Sequence, residues 1–262
     1  MLSPSQLEQF ARDGFVAGSQ ILDAAQIQTL RDEMERVIAQ RDGLEKPPVS
    51  LSNFGSESAP VWQIVNIWHA SAAFAALAEN PLIAHEAAQL TGARELRLFH
   101  DQIQYKPAQK GGVNMWHQDS PYWPILQPKT SEITAWVALD DVDLENGCMQ
   151  MVPGSHMWGE NLEFLHSLGK NFEAMPDEFE GRKIEVVATP VKAGQVHFHH
   201  PLTWHGSNAN TSGRPCRAVA LHYMTEQTVF DASRNHIMKP LAKVQDGQKI
   251  EGQAFPLIWS AN

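Results

Sequence analysis

The chain is poor in cysteine. Its 262 residues contain two, Cys148 and Cys216, and no CxxC pair. That excludes a disulfide framework and a cysteine-built metal site, and it fits a reducing, cytoplasmic setting. It is also short of positive charge: 20 Lys and Arg stand against 30 Asp and Glu, a net charge of -10. The basic residues are scattered. A nucleic-acid partner needs them clustered to displace counterions, so none is expected. Long apolar runs are missing as well. Nothing approaches the roughly 18 residues that a membrane-spanning helix requires. The start, Met1-Leu2-Ser3-Pro4-Ser5, lacks a basic region followed by an apolar run, so no secretory signal and no membrane partner are expected. There is no repeat and no low-complexity tract.

What is present is an ordinary globular composition, 43% hydrophobic and 19% charged, long enough for one sizeable core. Eight Trp and 12 His are many for this length. Trp116, Trp123, Trp136, Trp158 and Trp204 all fall between positions 116 and 204.

The texture divides the chain. Ser3-Pro4 predicts a capped helix through Leu7 and Phe10 to Gly14, followed by a strand at Phe15–Ala17. Asp23 caps a second helix, with Ile27, Leu30, Met34, Val37 and Ile38 at helical spacing. Residues 42–60, rich in Gly, Pro and Ser, read as a loop able to cover a site. Ala70–Glu79 and Pro81–Leu90 read as helices. After Gly92 short alternating runs take over: Leu96–Tyr105, Ile133–Leu139, Cys148–Val152, Ile184–Val187, Gln195–His199 and Ala218–Met224 read as strands. The expectation is a mainly β protein with a two-sheet jelly roll and N-terminal helices packed outside. It spans 1–262 as a single domain, with a mostly helical flank at 1–92, a jelly-roll core at 93–230 carrying an insertion at 157–183, and a tail at 231–262.

One tetrapeptide organises the chemistry: Trp116-His117-Gln118-Asp119. A His and an acid two apart on an extended segment point to the same side. They can share one divalent metal, and a second His from elsewhere would complete the two-His-one-carboxylate triad of non-haem Fe(II) oxygenases. His205, within Trp204-His205-Gly206-Ser207, is the candidate; His197 and His199 compete with it on spacing alone. His156 follows a Pro-Gly turn and reads as structural. The acidic run Asp140-Asp141-Val142-Asp143 reads as a solvated turn, and Asn146-Gly147 as a tight hairpin. Gln102, Gln104 and Lys106 share one face of a strand, either solvated or lining the barrel as donors for an anion. Trp116, Tyr122 and Trp123 are candidates for a substrate wall.

With those pieces in hand, the chain resembles the phytanoyl-CoA dioxygenase family of Fe(II)- and 2-oxoglutarate-dependent oxygenases. The matching stretches are Trp116–Pro124, Ala135–His156 and His199–Met224, with Gly14-Phe15-Val16 resembling the family's start. The resemblance implies the cofactor Fe(II), 2-oxoglutarate as co-substrate, and O2. It implies metal ligation by His117, Asp119 and His205, so it selects His205 over its rivals. It places Gln102, Lys106, Trp136 and Ser207 near 2-oxoglutarate. It also implies an Arg eleven residues after the distal His to grip the distal carboxylate, but position 216 is Cys. Arg214, Arg217 or Lys106 is then left to supply the positive charge, or the co-substrate differs. Asp119 stands where related halogenases carry Gly or Ala, which favours hydroxylation of a small-molecule metabolite or natural-product intermediate, with release of succinate and CO2. The competing reading is a metal-binding jelly roll with a binding or sensory role, or an altered co-substrate, motivated by Cys216. A third is a cupin-type metalloenzyme that consumes O2 without a keto acid.

Overall fold

The computed structural model describes residues 1–53, 61–109 and 111–261. Its first elements follow their caps. Helix α1 (Pro4–Asp13) opens on a reciprocal capping box between Ser3 and Gln6 and ends where Gly14 turns left-handed at φ 84°. Helix α2 (Ala24–Ala39) opens on the same device between Asp23 and Gln26. Each such cap is worth about 1 kcal/mol. Ile27, Leu30, Met34 and Val37 form the buried stripe of α2, and burying each contributes at most roughly 1.5–3 kcal/mol. Helices α3 (Ala72–Ala78) and α4 (Pro81–Thr91) complete the flank.

The strands, in chain order, are β1 Phe15–Gln20, β2 Ser50–Asn53, β3 Trp62–Val65, β4 Glu95–Lys106, β5 Asn114–His117, β6 Leu126–Gln127, β7 Glu132–Ala138, β8 Met149–Met151, β9 Glu178–Phe179, β10 Arg182–Lys183, β11 Val187–Ala188, β12 Gln195–His199, β13 His205–Ser207, β14 Cys216–Thr225, β15 Val229–Phe230 and β16 Leu257–Ser260. The large sheet runs β1-β12-β7-β14-β4-β3-β2, with β16 also paired to β4; the small sheet runs β11-β8-β13-β5. All pairings are antiparallel.

Period-two alternation gives the large sheet two different faces. Ile133, Ala135, Val137, Val196, Phe198, Val219, Leu221 and Tyr223 pack outward with the helices. Trp136, Ala138, Cys216, Ala218 and Ala220 point inward, against Met149 and Met151 of the small sheet. All seven residues of β7 are buried, so this strand is covered on both faces. The small sheet has its own outer cover: Trp116, Val152 and Trp204 pack with Leu165 and Phe172 from the inserted stretch and with Ile184 just after it.

The insertion at 157–183 holds helix α5 (Leu162–Ser167) and the β9–β10 hairpin. Two expectations need correction. Ile184–Val187 is not a strand; the pairing falls on Arg182–Lys183 before it and Val187–Ala188 at its end. Part of the 42–60 loop is the edge strand β2, fully paired with β3, and residues 54–60 lie outside the described ones. The tail at 231–262 is packed: Met238, Ile250 and Phe255 join the core with Phe99 and Trp123.

Candidate active site

His117 and His205 are direct register partners where β5 meets β13, and their ring centroids lie 4.1 Å apart. Each ring is locked the same way. His117 Nδ1 meets the Met115 carbonyl at 2.8 Å and His205 Nδ1 meets the Thr203 carbonyl at 2.9 Å. A carbonyl only accepts, so both Nδ1 atoms carry the proton and both Nε2 atoms are bare lone pairs. Burial holds both imidazoles below their usual pKa, His205 well below, so they are neutral donors.

Asp119 supplies the third atom. The sequence places it by strand alternation, but β5 ends at His117 and Asp119 has helical backbone angles at the head of a 3-10 turn. The turn swings its carboxylate back beside the rings. Asp119 Oδ1 lies 3.7 Å from His117 Nε2 and 3.5 Å from His205 Nε2. The three ligand atoms all lie within 4.8 Å of one another.

The other oxygen is fully engaged. Asp119 Oδ2 accepts from Thr134 Oγ1 at 2.8 Å and from His199 Nε2 at 3.0 Å. Burial opposes ionisation of Asp119, but the His199 hydrogen bond favours the charged form, and the carboxyl stays well below its usual range. Two bare imidazole nitrogens and a carboxylate oxygen therefore converge with no proton between them. That arrangement is repulsive until a cation sits in it, so the donor set fits a divalent metal.

The second charged feature is Lys106. It is 4% exposed, and its ammonium donates to Ser207 Oγ at 2.6 Å, the Asn208 carbonyl at 2.7 Å and the Ser207 carbonyl at 3.3 Å. All three are neutral acceptors, and no carboxylate among the described residues pairs with it. Burial pushes its pKa down to about 8. A buried cation without a counter-charge is costly, so this pocket fits an anionic group. Trp136, which donates from Nε1 to Gln104 Oε1 at 3.2 Å, and Gln102 lie on the same inward face between Lys106 and the metal cluster, opposite Ala220 in the ladder.

The arginines do not share this pocket. Arg214 is 46% exposed and bonds Asp143 at 2.6 Å in the acidic turn. Arg217 points to the helix side, where Asp140 binds it at 2.9 and 3.0 Å and Glu35 of α2 reaches it at 3.3 Å. Strand parity decides this: Cys216 and Ala218 face inward, so Arg217 faces out. Trp116 is corrected by the same rule. Being one residue from His117, it points away from the cluster and stacks on Phe172 at 4.7 Å. Trp123 does belong near the site, with its ring 4.6 Å from that of His222. Tyr122 sits at the rim, 44% exposed, with its hydroxyl on His166 Nε2 of α5. His197 lies one inward row away from the cluster, opposite Trp136.

Sequence reading missed Thr134 and His222. Both hide in apolar strands, and only the register shows them: His199, Thr134, His222 and His100 form one row across β12, β7, β14 and β4 beneath Asp119.

The comparisons agree with this geometry. The sequence profile of the phytanoyl-CoA dioxygenase (PhyH) family matches residues 10–219. An ectoine dioxygenase of Bordetella parapertussis is 28% identical over 88% of this chain and 78% of its own length. A peroxisomal phytanoyl-CoA dioxygenase of Bos taurus is 26% identical over 85% of this chain and 68% of its own. Among solved structures, the non-haem α-ketoglutarate-dependent carbocyclase SnoK from nogalamycin biosynthesis has a TM-score of 0.79 at 27% identity, covering 98% of this chain and 96% of that one. The epimerase SnoN in complex with Fe3+, α-ketoglutarate and nogalamycin RO has a TM-score of 0.75 at 25% identity, covering 97% and 98%. No helix of the described residues is long and apolar enough to cross a membrane. The chain belongs to the phytanoyl-CoA dioxygenase family and is an Fe(II)- and 2-oxoglutarate-dependent dioxygenase.

Proposed function

We propose that His117, Asp119 and His205 hold the Fe(II), that Lys106 and Ser207 hold the far carboxylate of 2-oxoglutarate, and that a small polar metabolite or natural-product intermediate is oxidised. The observation that carries this reading is the convergence of two proton-free imidazole nitrogens on Asp119 Oδ1, at 3.7 and 3.5 Å. We read the chain as one catalytic domain working in the cytoplasm, consistent with two buried free thiols.

When bound, iron and 2-oxoglutarate supply an oxidative decarboxylation that yields succinate and CO2 and oxidises a C–H bond of the substrate. The protein's part is positional. The Met115 and Thr203 carbonyls fix the tautomer of the two ligand rings. Thr134 and His199 fix the carboxylate so that one oxygen remains for the metal. Lys106 orients the co-substrate by its charge. The small-sheet cover of Trp116, Trp204 and Phe172 keeps water from the back of the histidine ligands.

The experiment is succinate release from 2-oxoglutarate in the presence of Fe(II) and O2. Wild type turns over; Asp119→Ala, which removes a ligand and leaves two buried imidazoles facing each other, loses at least a hundredfold. Undiminished succinate release in that variant sinks the ligand assignment. A second outcome is favoured by the similarity to a carbocyclase and an epimerase: oxidation without oxygen insertion. A product one oxygen atom heavier than substrate marks hydroxylation, and one lighter by two hydrogens marks the other.

A further inference from the structure

Three histidines outside the ligand set gather on the Trp123 side of the cluster. His222 and His100 are ladder partners on β14 and β4 with ring centroids 4.6 Å apart. His236 stacks at 6.1 Å from His100 and at 5.4 Å from Phe99. Trp123 lies 4.6 Å from His222. The group adjoins the reaction centre: His222 Nδ1 is 2.9 Å from Thr134 Oγ1, the hydroxyl that bonds Asp119.

Their tautomers follow from the partners. Thr134 has one hydroxyl hydrogen and gives it to the Asp119 carboxylate, which cannot donate. It must therefore accept from His222 Nδ1–H, which leaves His222 Nε2 a bare acceptor. His100 Nδ1 meets the Asp101 carbonyl at 3.3 Å and so carries its proton, leaving Nε2 bare as well. His236 Nδ1 instead accepts from the Met238 amide at 3.2 Å, so its Nε2 carries a hydrogen. Among the described residues neither His222 Nε2 nor His100 Nε2 has a partner, although the residues are only 4% and 3% exposed. Burial keeps all three neutral, with His222 and His236 pushed down to about 4 and His100 held well below its usual value.

Neither atom is sealed off, since both stand outside the set of fully buried unpaired atoms; an acceptor that the protein leaves open takes its donor from water or a ligand. We propose that His222 and His100 form the substrate-recognition subsite, and that it takes a hydrogen-bond-donating group, a hydroxyl or an amine, held against Trp123 beside the carbon to be oxidised. Carboxylate and phosphate groups, which have no hydrogens to give, are disfavoured there. His236 Nε2–H supplies the complementary donor at the half-open edge. This rests on the metal assignment above.

The test uses the whole protein, anaerobic, with Fe(II) and 2-oxoglutarate, reading the visible charge-transfer band of the iron–keto-acid pair. Four probes share one ring: cyclohexane-1,2-diol, 2-aminocyclohexanol, cyclohexanecarboxylate and cyclohexyl phosphate, at millimolar concentration. The expected result is a band shift with the diol or amino alcohol and none with the two anions. His100→Phe, which touches no metal ligand, and His222→Phe each weaken the responding probe by about five- to tenfold. His236→Phe, at the edge, weakens it less. The band without probe reports an intact metal site, so a folding defect is visible separately. Shifts produced equally by the anions, by no probe, or unchanged in His100→Phe overturn the subsite while the band persists. Absence of the band in wild type overturns the metal reading, and this inference with it.

Discussion

Cys216 stands directly opposite Lys106 in the β14–β4 ladder. The position where the family resemblance implies an arginine is thus occupied by a small thiol, and the buried cation projects from the neighbouring strand at the same level. On the proposed reading, the positive charge comes from that strand instead. Burial raises the thiols, Cys216 to about 12 and Cys148 to about 11, so both are neutral beside the ammonium.

Lys106→Met keeps the stem of the side chain and removes the charge. Truncating one partner of a buried charge pair costs about 2–5 kcal/mol. We expect 2-oxoglutarate binding to the Fe(II) protein, followed by calorimetry, to weaken at least thirtyfold. A change under threefold would assign the carboxylate to another group.

The same residue predicts a pH dependence. The ammonium form binds the carboxylate, and in the free protein Lys106 loses its proton near pH 8. Binding of 2-oxoglutarate is then constant below about pH 7 and weakens by up to tenfold per unit above about 8. Lys106→Met, already weak, shows no such slope. The sign for stability is separate: the pKa is lowered by burial, so folding gains stability as pH rises from about 8 toward the unfolded value.

Thr134→Val conserves shape and removes one of the two donors to Asp119 Oδ2, stranding His222 Nδ1–H too. Outer-shell partners of metal ligands are worth tenfold to a hundredfold in metal affinity. We expect Fe(II) or Co(II) binding, titrated anaerobically, to weaken by at least about tenfold, and by a similar factor in His199→Phe.

Arg217 and Arg214 serve as contrasts. Arg217 shares Asp140 with Arg31 under α2. Arg217→Ala should cost about 2 kcal/mol in urea unfolding and leave 2-oxoglutarate affinity within twofold. Arg214→Ala, at an exposed pair, should change stability by less than about 0.5 kcal/mol.

Much of the fold was readable because it rests on local rules. Ser3, Asp23 and Gly14 are caps and a stop whose partners lie within a few residues. The strands of the large sheet announce themselves by β-branched and aromatic runs. The site was legible as far as two side chains adjacent in sequence suggest chemistry, but choosing His205 over His197 and His199 took the family resemblance. What stayed hidden depends on register. Thr134 and His222 look like apolar-strand residues until β7, β12 and β14 are aligned, and Trp116 looks like a pocket wall until alternation turns it outward. The helix at Leu162–Ser167 escaped because one and a half turns carry too little periodicity, and its stability comes from packing Leu165 beside Trp204.

The most direct measurement is an anaerobic crystal structure with Fe(II) and 2-oxoglutarate, with anomalous data at the iron edge. The prediction is one iron peak within bonding distance of His117 Nε2, Asp119 Oδ1 and His205 Nε2, with Lys106 Nζ as the nearest cation to the far carboxylate. An iron peak elsewhere, or coordination that omits His205, would contradict it.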